Sequence, residues 1–111
     1  MYLEDQSVSP CIDANLACYR ACLGMVSTRR ETLDEAIVNI LSECAVICRS
    51  TADELIISPS DMTVKLEECA VVSTRGADAC EPESNMHECA VVCRWCASAC
   101  RTLAKLQAKQ R

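Results

Sequence analysis

The sequence contains no phenylalanine, one tryptophan and two tyrosines, so aromatic side chains cannot fill the interior of this chain of 111 residues. It has only two glycines and three prolines, which excludes collagen-like chains and flexible linkers and disfavours a turn-rich β sandwich. Basic residues are the minority, and the net charge of −5 disfavours nucleic acid as a partner. Apolar runs long enough to span a bilayer are also missing, so we expect no membrane partner.

Cysteine is present in large excess, with 11 residues in the chain. An odd number cannot be paired completely within one molecule. The first five residues, Met1 to Asp5, are acidic and lack the basic and apolar regions of a secretory signal. We therefore expect a cytoplasmic protein, in a compartment where disulfides are rare. The default interpretation is that the cysteines are free or metal-bound thiols.

Helix-start and helix-stop residues predict an all-α chain. Ser9 followed by Pro10 is a typical helix start, and Thr32 followed by Glu35 forms a capping-box pattern. We expect the third helix to continue through Gly76 despite the cost of a glycine. Because the connections are short, neighbouring helices should run antiparallel, giving an up-down-up-down four-helix bundle with cysteines lining the core. The sequence thus predicts one domain of residues 1–111 with helices at about residues 10–26, 33–57, 61–80 and 85–109.

The cysteines recur at steps of three and four residues, which places them on one face of each predicted helix. Such steps average about 3.5 residues, the period of core positions in a left-handed bundle. The predicted inward positions, helix by helix, are Cys11, Asn15, Cys18, Cys22 and Met25; Ile37, Leu41, Cys44 and Cys48; Leu66, Cys69, Ser73, Gly76 and Cys80; and Met86, Cys89, Cys93, Cys96 and Cys100.

Antiparallel packing predicts how these cysteines are distributed along the bundle. One set should lie toward one end, namely Cys11, Cys44, Cys48, Cys69, Cys96 and Cys100. A second set should lie toward the other end, namely Cys18, Cys22, Cys80 and Cys89.

Thiolate is a soft ligand that selects Cu(I), zinc or iron–sulfur clusters over hard cations. Structural zinc takes four ligands, usually from short loop knuckles, and iron–sulfur clusters usually rely on loop cysteines. Rows of thiols along rigid helices instead suit Cu(I), and zinc is the alternative. If each thiolate binds one ion or bridges two, the capacity is on the order of 5 to 11 Cu(I) per chain. The candidate ligands are Cys11, Cys18, Cys22, Cys44, Cys48, Cys69, Cys80, Cys89, Cys93, Cys96 and Cys100, with Met25, Met86 and His87 as possible accessory ligands.

Two other functions stay open at this point. The chain is either a non-metal helical assembly module, in which the cysteines only pack as small hydrophobic residues, or a thiol redox or metal-sensing protein. An enzyme is not expected, because the sequence has one histidine and lacks a phosphate-binding loop or a hydrolase triad. Cys93 and Cys96 form a C-x-x-C motif, but it falls in the middle of a predicted helix and not at its start.

The segment HECAVVCRWCASACR at residues 87–101, together with ECAVIC at residues 43–48, resembles the cysteine-rich four-helix-bundle copper storage proteins, in particular their cytosolic branch. The resemblance extends from Cys11 to Leu103. It implies Cu(I) stored inside the bundle by thiolates and a homotetramer, in a member with fewer cysteines than usual. The positions at which the resemblance implies cysteine and the chain has another residue are Asn15, Met25, Ile37, Leu66, Ser73, Gly76 and Met86.

Overall fold

The structure is a computed structural model that describes residues 3–110, so Met1, Tyr2 and Arg111 lie outside the described residues. The prediction of an all-α fold is confirmed, because residues 3–110 contain helices and no strand. None of these helices is long and apolar enough to cross a membrane. The four helices are α1 (Leu3–Arg29), α2 (Glu35–Ile57), α3 (Thr63–Cys80) and α4 (His87–Lys109).

The helices form an elongated bundle of about 46 × 23 × 19 Å. Helix α1 packs against α2 and α4, and α3 packs against the same two helices. Along α1 and α4 the contacts run in opposite order: Cys11 lies beside Cys100, whereas Cys22 lies beside Cys93. This order supports the up-down-up-down arrangement expected from the short connections.

Helix α1 begins earlier than the sequence predicts. The expected start at Ser9 and Pro10 is wrong, because the helix extends back to Leu3 and Pro10 lies inside it. A proline in a helix removes one backbone hydrogen bond. Pro10 is exposed, and Val8 in the preceding turn packs against the core. We attribute the longer helix to this apolar contact, which offsets the lost bond.

Helix α2 is capped by Asp34 and not by Thr32. The Asp34 carboxylate accepts a hydrogen bond from the backbone N–H of Ala36 at 2.9 Å. The Thr32 hydroxyl instead donates to the carbonyl oxygen of Arg29 at the end of α1, at 3.1 Å. Thr32 therefore belongs to the end of the first helix, and the capping role passes to the acidic residue two positions later.

Helices α3 and α4 begin two residues later than the predicted starts at residues 61 and 85. Asp61 and Asn85 have φ angles of 55° and 69°, in the left-handed region of backbone conformation. A residue in that region cannot continue a right-handed helix. These two residues therefore act as turn residues, and Met62 and Met86 precede the first helical residues.

The side chain of Gln107 closes the end of the bundle where α3 begins. Met62, at the start of α3, has no side-chain cap of its own. Its backbone N–H donates to Oε1 of Gln107 at 2.8 Å, and Nε2 of Gln107 donates to the carbonyl oxygen of Pro59. Helix α4 thus supplies hydrogen bonds to the backbone of the connection between α2 and α3.

We expect Gln107→Ala to lower the free energy of unfolding by about 1–3 kcal/mol, because the backbone N–H of the buried Met62 loses its partner. Urea denaturation of the reduced protein measures this change. Gln110→Ala is the matched control, since Gln110 is exposed at the end of the same helix. Equal stability of the two variants would contradict the assigned role of Gln107.

Candidate metal centre

All eleven cysteines lie in the core, and none is more than 3% exposed. None forms a disulfide. A neutral thiol is a small apolar group, so these side chains can pack as core residues while they hold no metal. The sequence prediction that cysteines line the core is confirmed.

The sulfurs of four cysteines form a compact set, which we name the four-thiol group: Cys18, Cys22, Cys44 and Cys93. Its members lie within 4.8 Å of one another. The Sγ of Cys18 is 3.6 Å from that of Cys44 and 3.5 Å from that of Cys93. Cys22 extends the set, with its Sγ 3.6 Å from Cys93. Helices α1, α2 and α4 thus bring four soft donors together at one height of the bundle.

A second set, the three-thiol group, lies nearer the other end. It consists of Cys69, Cys96 and Cys100, whose sulfurs lie within 4.8 Å of one another. The Sγ of Cys11 adjoins it, 3.9 Å from that of Cys100. The donors of this region come from α1, α3 and α4.

Cys48 lies between the two groups and belongs to neither. Its Sγ is 4.0 Å from that of Cys44 in the four-thiol group. On the other side it is 3.7 Å from Cys96 and 4.0 Å from Cys69. Cys48 also forms a set of three with Cys18 and Cys96, in which all sulfurs lie within 4.8 Å. The sulfurs are therefore in contact along the bundle.

The predicted distribution of cysteines along the bundle is wrong for Cys44. The sequence placed it with Cys11 and Cys100, but the structure places it with Cys18 and Cys22. The short connection between α1, which ends at Arg29, and α2, which begins at Glu35, sets the heights of their residues. Residue 44 is nine residues after Glu35, between residues 22 and 18, which are seven and eleven residues before Arg29, so it lies at the height of both.

Asn15 is a hydrogen-bonding centre among the thiols, a role that the sequence analysis did not assign. Its Oδ1 accepts from the thiols of Cys69 and Cys96 at 3.1 and 3.3 Å. Its Nδ2 donates to the Sγ atoms of Cys100 and Cys11 at 3.4 and 3.5 Å, and to the backbone carbonyl oxygen of Cys11 at 2.8 Å. The sequence did contain a signal for this role: Asn15 is a polar residue at a predicted core position, and a buried polar side chain needs hydrogen-bond partners.

With this geometry established, the comparison with known families is decisive. A model of the copper storage protein family matches residues 4–105. The chain belongs to the copper storage protein family. The match favours copper storage over an assembly module with inert cysteines and over a thiol redox or metal sensor, because buried thiols in groups of three and four are donors for a soft metal.

A solved structure supports the fold of this copper storage family member. The Nmul_A1745 protein from Nitrosospira multiformis, known from a crystal structure, has 32% sequence identity to the chain. The alignment covers 92% of this chain and 98% of that one, with a TM-score of 0.85. A comparison with curated proteins gives no match.

Several thiols of this copper storage protein hold their protons more tightly than an isolated cysteine. A hydrogen bond with Cys89 raises the pKa of Cys80, and burial raises it further. Hydrogen bonds with Cys18 and Cys44, among others, and burial raise the pKa of Cys48. Such thiols are neutral at pH 7, so an incoming metal ion must displace a proton from each one that it binds.

Gly76 faces the four-thiol group from α3. A Cβ atom at this position would lie 3.3 Å from the Sγ of Cys44 and 3.4 Å from that of Cys93. Helix α3 continues through Gly76 to Cys80, which confirms the prediction of a continuous helix. The missing side chain lets the sulfurs of Cys44 and Cys93 approach the backbone of α3 closely.

We expect Gly76→Ala to weaken binding of copper at the four-thiol group by about tenfold, since overpacking by one methyl group costs about 1–3 kcal/mol. Gly24→Ala is the matched control, because a Cβ at Gly24 meets no atom within 4 Å. That change should leave copper affinity unaltered. Chelator competition with both variants measures the effect, and equal affinities would show that the space beside Cys44 is unimportant.

The three possible accessory ligands lie near the end of the bundle where α1 ends and α4 begins. Met86 is completely buried just before α4, and Met25 is partly buried and packs against the core. His87, the first residue of α4, is exposed. The imidazole of His87 belongs to none of the thiol groups described above.

Proposed function

We propose that the protein stores copper as Cu(I), bound by the thiolates of its core cysteines. The observation that carries this proposal is the set of sulfur contacts at 3.5–4.0 Å that runs through the bundle. Soft thiolates favour Cu(I), and each ion can share its ligands with the next. The proposed ligands are Cys11, Cys18, Cys22, Cys44, Cys48, Cys69, Cys80, Cys89, Cys93, Cys96 and Cys100.

Electrostatics support a monovalent ion. Among the described residues, the buried polar side chains are Asn15, Thr51, Thr63, Ser73 and Gln107, and none carries a positive charge. Eleven buried thiolates without cations would carry a prohibitive desolvation cost. One Cu(I) for each thiolate neutralises that charge, and loss of copper with uptake of protons restores a neutral apolar core. The bundle can therefore be filled and emptied without unfolding.

Zinc is the second candidate, because the four-thiol group has the size of a zinc site. A tetrahedron with metal–sulfur bonds of about 2.3 Å has edges of about 3.8 Å. The contacts of 3.5 and 3.6 Å from Cys18 to Cys93 and Cys44 are close to that value. A zinc ion with four thiolates keeps two negative charges, however, and no buried cation offsets them. One zinc ion would also leave seven of the eleven cysteines without a metal.

Anaerobic titration with Cu(I) against a competing chelator tests the proposed function. We expect tight binding of several equivalents, on the order of 5 to 11 per chain. Parallel titration with Zn²⁺ should give at most about one tight equivalent, the limit of a single four-ligand site. Binding of one Cu(I) or fewer would refute copper storage, and tight zinc binding alone would favour the second candidate.

Met25, Met86 and His87 are proposed as accessory copper ligands at the end of the bundle near the start of α4. Thioether sulfur is a soft donor, and neutral imidazole binds copper as well. The exposure of His87 beside the completely buried Met86 supports a position between solvent and core.

The proposed assembly is a homotetramer, and the proposed location is the cytoplasm. An apolar surface groove of about 520 Å³ between α1 and α2, which includes Leu23, Val46 and Ile57, supports self-association. Free cysteines at all eleven positions suit a reducing compartment. Analytical ultracentrifugation and cell fractionation test the two statements separately.

A further inference from the structure

The outer face of α2 carries a second regular stripe of side chains. It consists of Ser42, Val46, Arg49, Asp53 and Ile57, which follow one another at steps of three and four residues and so lie on one side of the helix. All five line the apolar groove between α1 and α2. Val46 is 70% exposed and Ile57 is 81% exposed. Large apolar side chains gathered along one exposed groove indicate a contact surface for another molecule.

Along this groove the charged side chains lie between two apolar ends. Leu23 lies at the end near the connection from α1 to α2, and Ile57, the last residue of α2, lies at the opposite end. Between them, the Nε of Arg49 is 3.4 Å from the Oδ1 of Asp53. The Arg49 guanidinium also lies 5.3 Å from the centre of the Tyr19 ring, which holds it in the groove. The order along the groove is therefore apolar, positive, negative and apolar.

Such an order is complementary to itself when a second copy of the chain is turned end to end. A two-fold axis near the middle of the groove makes the two α2 helices antiparallel. Ile57 of each copy then meets the apolar end that contains the partner's Leu23. Arg49 of each copy meets the partner's Asp53. The side chains of Arg49 and Asp53 are 54% and 52% exposed, so each can contact a second charged group.

The groove between α3 and α4 does not have this complementarity. Of the described residues, its charged members are Glu67, Arg101 and Lys105, so a second copy would bring an excess of positive charge together. In the groove between α1 and α2 the remaining charged residue, Glu54, is paired with Lys65 at 3.0 Å. The distribution of charge therefore favours the groove between α1 and α2 as the surface between two copies.

We propose that two copies of this chain pair through the groove between α1 and α2, with antiparallel α2 helices and with Arg49 of each copy bound to the partner's Asp53. This inference rests on the self-association proposed above and names the surface that carries it. A tetramer follows when two such pairs join through a further surface. Cys44 and Cys48 are completely buried on the core side of α2, so pairing leaves the thiols of each chain enclosed.

Reversing the two charges one at a time tests the pairing. Arg49→Glu places a carboxylate against the partner's Asp53, and Asp53→Arg places a guanidinium against the partner's Arg49. Analytical ultracentrifugation over a range of concentrations should show that each variant alone associates at least about tenfold more weakly than the natural protein. An equimolar mixture of the two variants should regain the natural strength, because each chain then offers the charge that the other needs. Mixing cannot repair a fault in the folding of either variant.

A charge placed in the apolar part of the groove gives a second test with a matched control. Val46 and Val91 occupy the same position in the repeated sequence ECAV, on α2 and on α4, and both are more than half exposed. Val46→Asp buries an unpaired carboxylate between the two copies and should weaken self-association at least about tenfold. Val91 does not line the groove, so Val91→Asp should leave self-association unchanged.

Circular dichroism first establishes that each variant is helical. If a charge-reversal variant does not fold, the comparison of Val46→Asp with Val91→Asp decides the matter. Equal self-association of those two variants, or a mixture of the charge-reversal variants that associates no better than its components, would overturn the pairing. A natural protein that stays monomeric at every concentration would refute the proposed self-association as a whole. Copper uptake by Val46→Asp is counted separately, and we expect it to equal that of the natural protein.

Discussion

Replacing Cys44 and Cys93 together with serine is expected to remove a larger part of the copper capacity than replacing two cysteines that lie outside the sulfur groups. Both belong to the four-thiol group, and their loss leaves Cys22 with Cys18 as its only remaining partner in that group. Serine keeps the size of the side chain and offers only a hard oxygen. We expect a loss of about two to four Cu(I) per chain, because each copper ion that Cys44 or Cys93 shares with a neighbouring thiolate loses a ligand.

The matched control is the double variant Cys80→Ser and Cys89→Ser. It removes the same number of thiols, but neither residue belongs to a sulfur group of three or more among the described residues. Its loss of capacity should be about half as large. Copper is quantified by elemental analysis after anaerobic loading, and urea denaturation of the copper-free variants establishes that both fold. Equal losses would show that capacity depends on the number of thiols and not on their grouping.

Copper affinity is expected to rise steeply with pH. The raised pKa of Cys48 and of Cys80 means that these thiols carry protons at pH 7, so protons compete with Cu(I) for the sulfurs. A higher pH removes that competition, and the apparent affinity should increase by about tenfold per pH unit for each proton displaced by one copper ion. The sign follows because copper binds the thiolate and not the thiol.

Chelator competition at pH 6, 7 and 8 measures this dependence, with the pH dependence of the chelator measured alone. Proton release, followed with a pH indicator in weak buffer, gives an independent count of displaced protons for each copper bound. Affinity that stays constant over this range would show that the thiols are already ionised, in conflict with their burial.

The positions of the core cysteines were predictable from the sequence alone. In α4, Cys89, Cys93, Cys96 and Cys100 follow steps of four, three and four, and such steps place side chains on one face of a helix. The structure buries all of them. The prediction succeeded because helical periodicity is a local property that does not depend on which helix lies opposite.

The ends of the helices were harder to predict. Asp61 and Asn85 lie at the predicted starts of α3 and α4, yet both adopt left-handed backbone conformations and remain outside the helices. Aspartate and asparagine serve as both caps and turn residues, since their short side chains bond to the nearby backbone in either role. The contacts of each connection decide between the two roles, and those contacts involve residues distant in the sequence, such as Gln107.

The sequence by itself determined four helices, a core faced with sulfur and a preference for a soft metal, because composition and periodicity act within single helices. Only the tertiary structure decided which sulfurs meet: it placed Cys44 with Cys18 and Cys22, and it brought Asn15 into contact with Cys69 and Cys96. Those meetings depend on the relative heights of packed helices. A shift of one helical turn would exchange every partner while leaving each helix, and its cysteine pattern, unchanged.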